Sequence, residues 1–175
     1  MNINLEKINI ILIVLFIFFL FMGCGINEDQ RNFEDAALTP PAGITEMTIN
    51  GKPVKNGEID NSDWRIAPEF SGLINISTAP YPNPVPFNRT IFIELYITGV
   101  QAVNGLQVFV YRPDMNRLSG PFYVEDHSLA PGLTVISFSA SEIAKTGTSG
   151  GNLHRIIIYD TSQNIITYGD IKVSE

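Results

Sequence analysis

Along most of the chain apolar and polar positions alternate with a period of two. In the run Ile91-Phe-Ile-Glu-Leu-Tyr-Ile97, residues Ile91, Ile93, Leu95 and Ile97 fall on one side and Phe92, Glu94 and Tyr96 on the other, as in a strand with one face buried. Residues 106–111 repeat the pattern with Leu106, Val108 and Val110. Shorter extended segments are predicted at 44–49, 64–70, 73–78, 122–125, 133–138, 153–159 and 165–168, with 171–173 as a last edge. Turn-forming residues separate them: Asn50-Gly51, Pro131-Gly132 and Ser162-Gln163-Asn164. Between Pro80 and Pro86 every second residue is proline; proline has no amide hydrogen for a sheet ladder, so this stretch must be loop or edge. Only residues 139–146 read as helical, a short piece with Ser141 as its candidate cap.

Short strands about 8–12 residues apart, with no βαβ alternation, predict an all-β chain. The expected architecture is an immunoglobulin-like antiparallel β-sandwich of about seven strands. Residues 79–175 are expected to form it, and residues 44–78 to be either part of it or an appended hairpin.

The start of the chain obeys a different pattern. From Ile10 to Met22 there are 13 consecutive apolar residues, fewer than the ~20 that cross a bilayer as a helix. Such a run suits the hydrophobic region of a secretory signal; an uncleaved signal anchor is the alternative. The residues that follow, Phe21-Met22-Gly23-Cys24, resemble a bacterial lipobox, in which a small residue precedes a cysteine whose thiol accepts diacylglycerol. The resemblance implies a signal peptide over 1–23, lipidation of Cys24 and attachment to a membrane. Two or three acyl chains, at about 0.8 kcal/mol per buried methylene, hold a protein on a bilayer. Gly25 stands where an aspartate retains enteric lipoproteins at the inner membrane, so the resemblance favours the outer membrane. Family members usually carry Leu and Ala or Ser where Phe21 and Met22 stand.

Residues 24–43 are expected to be the lipidated cysteine and a flexible, disordered tether. Glu28, Asp29, Glu34 and Asp35 crowd together there, and Pro40-Pro41 stiffens the exit. The whole chain carries a net charge of −7, which excludes the basic footprint that nucleic-acid binding needs. With one cysteine in the chain, no intramolecular disulfide and no cysteine-based zinc site can form.

The loop Tyr81-Pro82-Asn83-Pro84, followed by Asn88-Arg89-Thr90 and an alternating strand, resembles the opening of the Ig-like domain of flagellar hook-capping proteins and type IX secretion C-terminal domains. Val108-Phe109-Val110-Tyr111 matches a later strand of that family. The resemblance covers about residues 80–175 and implies the fold. It supplies no catalytic residue, and the C-terminal end, Gly169 to Glu175, departs from the family's basic terminus.

No constellation argues for catalysis. His127 follows Glu125-Asp126 near Ser119 and Ser128, but no Gly-x-Ser-x-Gly elbow is present. His154 alternates with Ile156 and Ile158 and reads as a hydrogen-bonded histidine at a strand start. Asp60-Asn61-Ser62-Asp63 lacks the central glycine of an EF-type calcium loop and reads as an Asx turn. No cofactor is expected. The candidate ligand-binding residues are aromatic: Trp64, Tyr81, Phe92 and Tyr96. Exposed, they would stack on sugar rings; otherwise they pack against loops. The expected function is a non-catalytic, lipid-anchored envelope protein whose sandwich mediates protein interaction, adhesion or scaffolding. The alternative is a surface glycan-binding lipoprotein.

Overall fold

The structure, a computed structural model, describes residues 28–145 and 153–174. Cys24 and the signal segment lie outside the described residues. The strands form two sheets. In the larger, the order is β1 (Arg65–Ile66), β9 (Ile165–Ser174), β8 (Leu153–Tyr159), β5 (Asn104–Arg112) and β6 (Arg117–Ser128). The smaller holds β2 (Ile74–Ile76), β4 (Thr90–Ile97) and β7 (Gly132–Ser139), in that order. All of these neighbours are antiparallel. One parallel pair joins β3 (Val85–Pro86) to the end of β9. Residues 65–76 thus contribute a strand to each sheet.

Alternation explains the sandwich. Ile91, Ile93, Leu95 and Ile97 of β4 and Ile136 and Phe138 of β7 share one buried cluster with Leu106, Val108 and Val110 of β5 and Ile156 and Ile158 of β8. Each fully buried aliphatic side chain contributes about 1.5–3 kcal/mol. The core therefore needs no covalent staple. In the larger sheet the centre is buried on both sides: β8 is buried from His154 to Ile158 and β9 from Ile165 to Ile171. Something must cover the outer side.

That cover is helix α1 (Glu28–Ala37). The segment expected to be a flexible tether is, from Glu28 on, a helix docked on the sheet. Phe33 and Ala37, four residues apart, lie on one face and join the core. Phe33 packs on Tyr168 with ring centroids 4.9 Å apart. The acids read as a solvated run suit a helix: Glu28 and Asp29 sit in its first turn, where the backbone dipole favours negative charge. Gln30, also buried, accepts a hydrogen bond from the Glu69 amide across to the 3-10 turn Pro68–Phe70.

Three other expectations change. Residues 165–168 and 171–173 are one strand, and it lies inside the sheet and not at its edge. Gly169, between the two segments, lies under the Trp64 indole; a Cβ there would sit 2.3 Å from Trp64 Cε2. Residues 44–49 form no strand, only bridges from Met47 to Pro53 and to Asn83. The short helix α2 (Ala140–Ala144) is capped by Ser139, in a reciprocal capping box with Glu142, and not by Ser141.

The proline loop has a definite task. The Asn83 side-chain amide donates to Asp170 O (3.0 Å) and accepts from Lys172 N (3.0 Å). It stands in for a backbone residue along the edge of β9, between β1, which pairs with Thr167 and Tyr168, and β3, which pairs with Val173 and Ser174. A stretch in which every second residue lacks an amide hydrogen thereby still continues the sheet past its short pairing at β3.

Candidate functional site

Beneath α1 the outer side of β8 and β9 carries an ionic cluster. Arg155 and Asp170 face each other across the strand pair, with 4% and 0% of their surface exposed. The guanidinium makes two bonds to the carboxylate, Nη2–Oδ2 at 3.0 Å and Nε–Oδ1. It also donates to Ala36 O at the end of α1 and lies 4.9 Å over the Tyr168 ring. Asp170 Oδ2 accepts in addition from Ala42 N. The cluster clamps the N-terminal segment to the sheet, and with all its strong donors and acceptors turned inward it offers no surface to a ligand.

Asp63, beside this pair, is buried, and neither carboxylate oxygen has a hydrogen-bond partner of good geometry among the described residues, the Asp170 backbone being the polar group that acts on it most. Burial, then the charge of Asp170, pushes its carboxyl up to about 8. The Asp170 backbone, and more weakly Arg155, pull the other way and lose. His154, on the opposite side of β8, is buried, and its Nδ1 has no hydrogen-bond partner among the described residues, against the expectation of a hydrogen-bonded histidine. Burial, with help from Arg112, lowers it to about 4. Core packing of the strand start outweighs the ring nitrogen's need for a partner, because the ring stays neutral there.

These two groups set opposite pH dependences. The folded chain holds the Asp63 proton up to about pH 8, while the unfolded chain releases it near 3.8. Stability from Asp63 is full below the unfolded value and is lost as pH rises through 8. Stability from His154 is present above 6.5 and lost as pH falls through about 4. Below 6.5 the slopes oppose; between 6.5 and about 8 the Asp63 slope stands alone. The free energy of unfolding, followed in urea at several pH values, is expected to fall across that window. Asp63→Asn should level it, and an equal descent in the variant would contradict the assignment.

The candidate aromatic residues divide. Trp64 is buried against Gly169 and presents no stacking face. Tyr81 and Phe92 stack on each other at 5.6 Å and 29°, and the Tyr81 hydroxyl donates to Glu94 Oε1 at 2.6 Å. Tyr96 stands open, 49% exposed, on the same outer side of the smaller sheet. Register places Leu133 opposite Tyr96 and Val135 opposite Glu94. Leu133 and Val135 are 58% and 45% exposed. The alternation of 133–138 predicts a strand, and the structure adds that this strand closes the sheet. The alternation itself was the available signal, because Leu133 and Val135 fall out of phase with Ile136 and Phe138.

Strand β7 is the last in its sheet, hydrogen-bonded to β4 alone among the described residues. Its eight residues, GLTVISFS, carry no charge and no proline. The contrast is β6, the edge of the larger sheet. It contains Pro121, breaks register with β5 twice, and bears Arg117, Glu125, Asp126 and His127. Such devices discourage strand addition; β7 has none of them.

The remaining candidates are structural. Asp60 Oδ1 accepts from Ser62 N at 2.8 Å and Ser62 Oγ at 2.6 Å, the expected Asx turn. Its bond to the Ser62 hydroxyl holds the Asp60 carboxyl below the usual range. His127 is fully solvated beside Glu125, and neither Ser119 nor Ser128 is hydrogen-bonded to it.

No protein-family model matches the chain, and no curated protein matches it. Among solved structures it is similar to the CARDB domain of a Pyrococcus furiosus protein, determined in complex with di-metal ions. Identity is 15% over 67% of this chain and 95% of that one, with a TM-score of 0.34. It is also similar to the β-D-glucoside glucohydrolase of Trichoderma reesei, with 12% identity, a TM-score of 0.31, and coverage of 82% of this chain but 22% of the enzyme. Both likenesses are too distant to transfer any chemistry. On its own strand pairing, the chain is an all-β sandwich with a helix laid over its larger sheet.

Proposed function

We propose that this chain is a non-catalytic, lipid-anchored protein of the bacterial cell envelope, held at the outer membrane through Cys24, whose sandwich binds another envelope protein. The contact is strand addition: an extended segment of the partner lies along β7 and rests side chains on Tyr96, Leu133 and Val135. The observation that carries this reading is the uncharged, eight-residue edge of β7 with those apolar residues exposed beside it. Main-chain hydrogen bonds supply affinity in this mode, and the flanking side chains supply selection. The lipobox resemblance at Phe21–Cys24 supports the anchor. The alternative use of Trp64, Tyr81 and Phe92 as sugar platforms loses ground, since they pack on the protein itself.

Two readouts test this. A photo-crosslinking residue at Val135 in intact envelopes should yield one discrete adduct, and the same probe at Glu69 none. Leu133→Lys with Val135→Lys should abolish the adduct of a probe at Tyr96 while shifting unfolding by less than ~0.5 kcal/mol per exposed site. Adducts that survive the double substitution count against β7. For the anchor, Cys24→Ser should move the protein from the detergent phase to the aqueous phase, and unchanged partitioning argues for the signal anchor.

A further inference from the structure

On the outer side of the larger sheet, beside α1, β5 and β8 frame a cleft of about 260 Å³ lined by Gln107, Phe109, Leu118, Tyr159 and Gln163; burial, and then the charge of Glu34 on the helix, raises the Tyr159 phenol. Phe109 and Tyr159 meet edge to face, ring centroids 5.7 Å apart at 87°. Gln107 pairs with Tyr159 across the strands, which sets its amide beside the rings. Neither glutamine side chain has a hydrogen-bond partner among the described residues. None of these described lining residues is charged.

Gln163 is held with unusual care. It lies in the β8–β9 turn at φ 70°, a left-handed conformation that costs a non-glycine residue about 1 kcal/mol or more. The buried Asp160 carboxylate fastens that turn, accepting from the Ser162 and Asn164 amides and the Asn164 side chain. Thr161 ties it to Asn104 O through both its amide and its hydroxyl. A glycine would meet the turn's conformational need without strain. A glutamine there adds an amide at the rim of an aromatic cleft.

We infer that this cleft binds a neutral saccharide, one ring or the end of a chain. The pyranose C–H face rests on the Phe109–Tyr159 corner, and the Gln107 and Gln163 amides bridge adjacent hydroxyls. Each amide offers a donor pair and an acceptor, which matches vicinal hydroxyls that both give and take hydrogen bonds. Phosphorylated or uronic sugars would find no cation among the described lining residues and would meet the field of Glu34, which already acts on Tyr159. The volume lies below the ~300–1,000 Å³ of sites for larger ligands, so one or two rings are the fit. An open site of this size implies a Kd of about 1 mM. The cleft lies on the larger sheet and the β7 edge on the smaller, so this site is independent of the protein contact proposed above.

The test uses the full chain in a phosphocholine detergent, which has no sugar headgroup, and saturation-transfer NMR with cellotetraose, maltotetraose, chitotetraose and xylotetraose. At ~10 mM, about tenfold above the expected Kd, at least one should show transfer. Gln163→Gly should weaken that binding about fivefold to tenfold while leaving thermal stability equal or higher, since the turn is relieved. Phe109→Leu should abolish binding, and Tyr96→Ala, on the other sheet, should leave it unchanged. Silence from all four sugars overturns the inference. So does transfer that is indifferent to Gln163→Gly or that is lost with Tyr96→Ala.

Discussion

Arg155→Ala is expected to destabilise the domain by about 3–5 kcal/mol, the range for breaking a buried ion pair from one side. Asp170, with none of its surface exposed, would be left with only the Ala42 amide on its carboxylate. The bond from Arg155 to Ala36 O would go as well, and with it the fastening of α1. Urea denaturation followed by the single tryptophan, Trp64, measures the loss. Limited proteolysis should open the chain first between 28 and 43. A paired replacement separates charge from packing: Arg155→Met with Asp170→Leu removes both charges and keeps volume, and should restore most of the stability. An Arg155→Ala variant within ~1 kcal/mol of the parent would mean the pair is solvated and the clamp absent.

The second large effect is expected at Gly169. Its missing side chain is where the Trp64 ring lies, with Cε2, Nε1 and Cδ2 at 2.3, 2.5 and 2.6 Å from a built Cβ. Trp64 has little freedom to give way: it is buried and held at φ 57°. Gly169→Ala should therefore cost about 2–3 kcal/mol, at the upper end of overpacking. In a Trp64→Ala background the same change should cost almost nothing, because the obstructing ring is gone. Trp64→Ala alone should cost about 3–5 kcal/mol. Far-UV circular dichroism reads all three without relying on the indole. Equal effects of Gly169→Ala in both backgrounds would place the strain elsewhere.

Much of the fold was legible because a period of two is a strong signal where one face is buried. Ile91 to Ile97 and Leu106 to Tyr111 became strands with the predicted faces inward. Reading failed where a local rule was overridden by a distant partner. Gly169-Asp170 has the composition of a turn, yet the glycine makes room for Trp64 and the aspartate meets Arg155, both unreadable without the fold. The acids of 28–35 look solvated, and their outer positions are; Phe33 and Ala37 alone betray the buried stripe. On the site side, the aromatic residues were visible as types but not as neighbours. Only the structure sorts Trp64 into the core, Tyr96 onto a free face, and Phe109 with Tyr159 into one cleft.

The amide of Asn83 has a consequence for stoichiometry. By sealing the gap between β1 and β3 it leaves β9 no length of rim on which another chain could grow. β6 is bent and charged, and β2, at three residues, is too short to template anything. Among the described residues there is one receptive rim, which can take a guest, and no second rim to hand the pattern on. Complexes made through β7 should therefore stop at one guest per sandwich, and the protein should act as a terminus, not as a link in a growing fibre.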